Sequence, residues 1–259
     1  MNRPSGIGLS KVPEVTLAFW VIKVAATTLG ETGGDSLSMT LQLGYGLSTV
    51  IFFALFLITV AAQIASKSFH AFLYWAVIVA TTTAGTTMAD YADRSLGIGY
   101  VGGSILLFAL LMITLGAWKI SMGAVSFNHI VSPKVEIFYW LTILFSNTLG
   151  TALGDFFADD SGLGYEGVAV IFAGALALVA VAYFRTTTSQ TLLFWSAFIL
   201  TRPLGAAVGD FLTKPLAQGG INLGRISSSL VIAIFIVACA LFSSQRAAMT
   251  RSGAGNDPA

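Results

Sequence analysis

Residues 139–155 read YWLTILFSNTLGTALGD, and the same frame recurs as FWVIKVAATTLGETGGD at 19–35, YWAVIVATTTAGTTMAD at 74–90 and FWSAFILTRPLGAAVGD at 194–210. Every copy opens on an aromatic residue followed by a tryptophan: Trp20, Trp75, Trp140 and Trp195. A glycine follows ten residues later (Gly30, Gly85, Gly150, Gly205) and an aspartate at fifteen (Asp35, Asp90, Asp155, Asp210). Agreement in register across four copies marks an internal repeat, and a repeat governs any reading of the fold.

Outward from each aspartate, the first three copies reach a Gly-Tyr pair nine residues on, at Gly44, Gly99 and Gly164. A second apolar run begins there. The fourth copy has Gly224 in that role after a five-residue insertion, so the unit is a helix hairpin. The copies start 55, 65 and 55 residues apart, which reads as two pairs of units with ten extra residues in a central loop around 120–134.

Composition says where such hairpins live. Of 259 residues, 56% are apolar and only 10% charged, and the mean hydropathy is +0.83, outside the range of a soluble domain. Crossing a hydrocarbon core of about 30 Å takes roughly 20 residues. Eight runs qualify, near 14–35, 45–65, 70–91, 99–119, 135–157, 165–184, 190–211 and 224–244. The expected class is therefore an all-α polytopic membrane protein: eight transmembrane helices as four parallel two-helix repeats, the odd-numbered helices central.

Its divisions are an N-terminal segment 1–13, a membrane half 14–119 with repeats 1 and 2, a loop 120–134, a membrane half 135–245 with repeats 3 and 4, and a tail 246–259 expected to be disordered. Arg3 and Lys11 before an apolar run look like a signal peptide, but that run is the first repeat, so cleavage is not expected. One side carries Arg3, Lys11, Lys67, Lys119, Lys134, Arg185, Arg246 and Arg251; the other has Arg94, Lys214 and Arg225. That bias puts both termini in the cytoplasm. His70 and His129 fall in loops on the same side and read as surface residues.

Four tandem two-span repeats, each marked by a tryptophan, resemble a bacterial family of integral membrane proteins named only for its repeat of unknown function. The resemblance covers residues 14–245. It implies a multi-pass protein of the bacterial inner membrane and leaves the activity to be argued from residues.

Positions seven, eleven and fifteen after each tryptophan share a helix face. They read Thr27, Glu31, Asp35; Thr82, Thr86, Asp90; Asn147, Thr151, Asp155; and Arg202, Ala206, Asp210, with Lys23 extending the first rail by a turn. A neighbouring face carries small residues: Gly30 and Gly34, Gly85 and Ala89, Gly150 and Gly154, Gly205 and Gly209. Small residues let helices approach closely where lipid gives no hydrophobic drive between them. The even-numbered runs are nearly free of charge and read as an outer, lipid-facing layer.

At a rise of 1.5 Å per residue the aspartates lie roughly 22 Å along the helix from the tryptophans, and Glu31 roughly 16 Å. Trp20, Trp75, Trp140 and Trp195 are accordingly expected as interface anchors and packing residues. Helix seven is expected to kink at Pro203, with Arg202 as a counter-charge to Glu31 or an aspartate, and Lys23 in the same role.

Glu31, Asp35, Asp90, Asp155 and Asp210 against Lys23 and Arg202 leave a formal excess of three negative charges. Carboxylates with Thr27, Thr82, Thr86, Asn147 and Thr151 form an oxygen-rich set, which suits Mn, Ca, Mg or protons rather than Cu or Zn. The five carboxylates are the expected metal ligands. The chain reads as a transporter of a hard cation coupled to protons, an exporter in one version.

A passive channel for ions or a small polar solute and a non-transporting assembly protein are the alternatives. No nucleophile with a base and no HExxH motif occurs, so an enzyme is not expected. Neither is a cofactor, and the net charge of +1 gives no reason for nucleic acid. Lipid, the metal cation and protons are the expected partners, with a homo-oligomer left open.

Overall fold

The protein is described by a computed structural model covering residues 9–125, 127, 130, 132–160, 162–243 and 246–249. Arg3, His129 and Arg251 lie outside the described residues. In chain order come β1 (Leu9–Pro13), α1 (Leu17–Asp35), α2 (Gly44–Ala65), α3 (Ala71–Asp90), α4 (Gly99–Met122), α5 (Pro133–Asp155), α6 (Gly164–Arg185), α7 (Gln190–Thr213), α8 (Arg225–Phe242) and β2 (Ala247–Met249). Each repeat is thus a helix pair, within a few residues of the expected bounds.

Local chemistry fixes the ends. Thr16 caps α1 by accepting from the Phe19 amide at 3.3 Å, and Ser132 caps α5 by accepting from Val135 at 3.4 Å, with Pro133 in the first turn. After their aspartates α1, α3 and α5 run straight into π-helical turns at 36–40, 91–95 and 156–160. The chain then reverses at Gly44, Gly99 and Gly164, whose φ angles of 73°, 73° and 65° a side chain adopts only at a cost. In the fourth repeat the insertion forms a 3-10 turn, Leu216–Gln218, before Gly224 takes that role at φ 78°.

The odd helices close into a ring, α1 on α3, α3 on α5, α5 on α7 and α7 back on α1. Each even helix packs on the odd helix of the following repeat: α2 on α3, α4 on α5, α6 on α7, and α8 on α1. The hairpins therefore interlock around the ring instead of standing alone. Along the even helices, residues such as Val50, Ile113, Leu178 and Val231 are exposed and apolar, forming a belt far larger than a soluble surface carries.

Seven of the eight helices are long and apolar enough to cross a bilayer, as expected of a multi-pass membrane protein. The remaining one is α1, whose hydropathy is lowered by Lys23, Glu31 and its threonines and glycines.

The small-residue face makes the ring contacts in strict rotation. A Cβ on Gly30 would fall 1.9 Å from Thr82 Oγ1, one on Gly85 3.1 Å from the Thr148 amide, one on Gly150 2.5 Å from Arg202 Cβ, and one on Gly205 2.1 Å from Thr27 Oγ1. Each glycine at position ten thus receives the next repeat at or beside position seven. One turn further out, Gly34 faces Thr86, Gly154 faces Ala206 and Gly209 faces Glu31. Helix α7 passes unbroken through Pro203, which packs against the bare backbone of Gly150 and Gly154.

At one end of the ring the repeat aromatics meet one another. Phe19 contacts Trp75, Tyr74 contacts Trp140, Tyr139 contacts Trp195, and Trp20 contacts Phe194, with centroids 5.5–6.0 Å apart. The Tyr74 and Tyr139 hydroxyls share a 2.8 Å hydrogen bond. Trp75, Trp140 and Trp195 are buried and Trp20 is half-buried, so these residues pack in the ring.

The terminal segments differ from expectation. β1 pairs antiparallel with β2, so Ala247–Met249 of the segment expected to be disordered form a strand. Lys11 meets the buried Glu136 at 2.5 Å and donates to the Ile64 carbonyl at 3.0 Å, while Val12, Ile130 and Ala248 join the aromatic core. α4 extends to Met122 and α5 starts at Pro133, so the central loop is shorter than 120–134.

Candidate functional site

Three polar layers stack inside the ring beyond the aromatic end. Innermost, Lys23 donates to Asn147 Oδ1 at 3.3 Å and lies over the Phe198 ring, 4.0 Å from its centroid. One layer out, Arg202 Nη2 meets Glu31 Oε2 at 2.9 Å and also donates to the Thr86 hydroxyl. Thr86 in turn donates to the Gly30 carbonyl at 3.2 Å. Outermost are the four aspartates, all buried.

The expected pairing of Arg202 with Glu31 is present, and Lys23 takes no part in it. Helices α1 and α7 meet at Gly205 and Gly209, which brings Glu31, Asp35 and Asp210 together with one carboxylate oxygen of each within 4.8 Å of the others. The five carboxylates do not form one centre. Asp90 and Asp155 stand on the other side, shared by Arg94 at 3.1 and 3.2 Å.

The threonines bond mainly to main-chain carbonyls. Thr82 donates to the Ala26 carbonyl across the α1–α3 contact at 3.2 Å; Thr27 donates to the Val24 carbonyl of its own helix at 2.8 Å with the Thr201 carbonyl of α7 at 3.1 Å, and Thr151 to the carbonyl of Asn147 in its own helix at 3.3 Å. A buried hydroxyl proton goes to the nearest carbonyl when water is absent, which leaves the oxygen lone pairs of these three threonines as their remaining polar capacity.

Three basic residues alter the electrostatics. Arg94 follows Asp90 by four residues and reaches Asp155 in the next repeat; Lys214 follows Asp210 by four and reaches Asp35, at 3.4 and 4.0 Å from the two carboxylates. Arg225, at the start of α8, meets Asp35 at 3.2 Å. The expected excess of three negative charges is therefore overturned. Formally, five carboxylates are balanced by five cations, Arg202, Arg94, Lys214 and Arg225 in ion pairs and Lys23 on the Asn147 amide oxygen.

Sequence reasoning placed the last three in loops, although the Asp-to-cation spacing of four residues in the second and fourth repeats is readable directly. Burial alone would lower the Lys214 pKa, but Asp210 and Asp35 outweigh it and hold the ammonium above the ordinary lysine range.

Arg94 and Lys214 also flank a cavity of about 400 Å³ with Asp159, Tyr165 and Gln218 in its wall. Asp159 accepts from Tyr100 at 3.1 Å and from Tyr165 at 3.3 Å. Replacing Arg94 with methionine leaves Asp90 and Asp155 facing each other without their shared cation. Since the Arg94 side chain is 28% exposed, the expected loss is about 1–2 kcal/mol, read as a lower melting temperature in detergent. An unchanged melting temperature would show that Arg94 does not hold the two repeats.

With the helix pairs and their shared layers in view, the family match is direct. The model of the Repeat of Unknown Function (DUF347) matches four times, over residues 18–69, 73–123, 138–189 and 193–247. The chain belongs to this family. Each DUF347 match spans one helix pair, α1–α2, α3–α4, α5–α6 or α7–α8. The layers described above are thus built from equivalent positions of the DUF347 repeat, with Arg202 and Ala206 the departures in the fourth. No curated protein and no solved structure matches the chain.

Proposed function

We propose that the chain is a multi-pass transporter of the bacterial inner membrane that moves a hard cation of the Mn, Ca or Mg class in exchange for protons. One observation carries the reading: buried carboxylates of Glu31, Asp35 and Asp210 converge within 4.8 Å between α1 and α7. Three hard oxygen donors suit such an ion.

The charge balance gives the cycle its form. In the neutral state Lys214 and Arg225 occupy Asp35 and Asp210. An arriving cation displaces them, and its departure lets the tethered cations or protons return. The cavity walled by Lys214 supports an approach to this layer from that end of the ring. Meeting of the aromatic ends around the ring supports four odd helices that run the same way. The β1–β2 pair supports two termini on one face, the cytoplasmic one by the Lys/Arg bias.

A second reading is favoured by the presence of a cation beside every one of the five carboxylates: a non-transporting assembly protein in which the ion pairs lock the helices. The two separate in purified protein in liposomes, where Mn, Ca and Mg uptake is followed against a pH gradient beside Asp210→Asn. The expected result is saturable, pH-gradient-driven uptake that the substitution abolishes while the protein stays monodisperse. Flux linear in concentration identifies a channel. No flux from well-folded wild type, with the variant yielding less folded protein, supports assembly and rejects transport.

A further inference from the structure

Four cations reach the carboxylates of the two outer layers, and three of them are hydrogen-bonded there. Arg202 donates to Glu31 at 2.9 Å, Arg94 to Asp155 at 3.2 Å and Arg225 to Asp35 at 3.2 Å. Lys214 is the exception. Its ammonium stands 3.4 Å from Asp210 Oδ1 and 4.0 Å from Asp35 Oδ2, within ion-pair range of both. Neither contact is a hydrogen bond: Asp210 Oδ1 is buried without a hydrogen-bond partner, and 4.0 Å exceeds hydrogen-bond reach.

The second repeat supplies an internal comparison. Arg94 follows Asp90 by four residues as Lys214 follows Asp210, and each reaches the aspartate of the next repeat round the ring. Arg94 spans its two carboxylates with Nε and Nη2 at 3.1 and 3.2 Å, the fixed geometry of a guanidinium fork. An ammonium is a point charge on a flexible stem. The α3–α5 seam is thus latched. The α7–α1 seam, where Glu31, Asp35 and Asp210 converge, is bridged by a cation whose head nothing locks in place.

Only that head is free. The Lys214 amide donates to the Asp210 carbonyl at 2.8 Å and its carbonyl accepts from the Asn222 amide at 3.1 Å, so the longer turn of the fourth repeat pins the main chain. The side chain lines the cavity of about 400 Å³ and shares its wall with Asp159 and Tyr165. The Tyr165 ring centroid is 5.9 Å from the ammonium, within reach of cation–π attraction. Asp159 adds a carboxylate that is 37% exposed.

We propose, on the cation reading above, that Lys214 is a tethered competitor at the carboxylate site. It holds Asp35 and Asp210 when no ion is bound, and a divalent ion of the Mn class enters as the ammonium swings toward Asp159 and Tyr165. Two cations among the same oxygens repel, so ion and ammonium exclude each other. Lys214 thereby sets the affinity of the site, because apparent affinity falls with the fraction of molecules free to bind.

The test titrates the purified full chain in detergent with manganese chloride, following free Mn by electron paramagnetic resonance, beside Lys214→Met and Lys214→Arg. Lys214→Met removes the competitor and is expected to bind Mn about tenfold or more tightly than wild type. Lys214→Arg keeps the charge but supplies a fork that hydrogen-bonds both aspartates, so binding about tenfold or more weaker is expected.

A Lys214→Arg protein that binds like wild type overturns the proposal, since loss of charge alone then explains Lys214→Met; the same comparison decides if Lys214→Met does not fold. Mn binding that neither variant changes also overturns it, and leaves the carboxylate site standing. No Mn binding by wild type or Lys214→Met overturns the cation reading and the proposal together.

Discussion

Arg202→Met is expected to destabilise the protein by about 3–5 kcal/mol, the cost of leaving one member of a buried ion pair behind. Arg202 and Glu31 are 0% and 4% exposed in their side chains and lie 2.9 Å apart. Without the guanidinium, Glu31 retains the Thr86 hydroxyl at 3.4 Å and no cation among the described residues within 4.0 Å. The contact joins the first and fourth repeats, so its loss opens the ring where the chain closes on itself.

Glu31→Gln combined with Arg202→Met is expected to recover much of that loss, since no charge then remains unpaired. Urea unfolding in mild detergent of wild type, both single variants and the double variant measures the coupling. If Arg202→Met unfolds like wild type, the pair does not hold the ring. If the double variant loses the sum of the singles, the two residues act separately.

Gly205→Ala is the second large effect. Its Cβ would fall 2.1 Å from Thr27 Oγ1, 2.5 Å from Thr27 Cβ and 2.9 Å from the Thr27 carbonyl carbon. A threonine rotamer change removes only the first of these, so the α1 backbone has to move. Overpacking of this kind costs about 1–3 kcal/mol, and more where backbone meets backbone.

Gly33→Ala is the control. Nothing lies within 4 Å of its Cβ position, and alanine favours a helix interior by up to about 1 kcal/mol. The expected order of melting temperatures is Gly33→Ala at or above wild type and Gly205→Ala well below. Equal behaviour of the two would mean that α1 and α7 do not approach at Gly205.

The two variants show how far a sequence pattern reaches. The glycine register at 30, 85, 150 and 205 is readable, and so is its purpose, because small residues every fourth position on a helix serve close approach. Which neighbour each glycine receives is not readable. The cyclic order, with α7 returning to α1, depends on how four hairpins pack, and nothing within one hairpin specifies it.

The same division holds for the site. The rail of Glu31 and the four aspartates is periodic along single helices, so the sequence marks it. Arg94, Lys214 and Arg225 neutralise it from turns and from the start of α8, and their reach into neighbouring repeats exists only in the assembled ring.

By itself, then, the sequence determined the repeat, the helix pairs, their apolar exteriors and the polar faces of the odd helices, because each follows from a period within one segment. Only the tertiary structure decided that the tryptophans pack in the ring, that Asp90 and Asp155 separate from Glu31, Asp35 and Asp210, and that every carboxylate meets a cation. Those outcomes depend on distances between segments far apart in the chain, set by packing against neighbours that local periodicity does not encode.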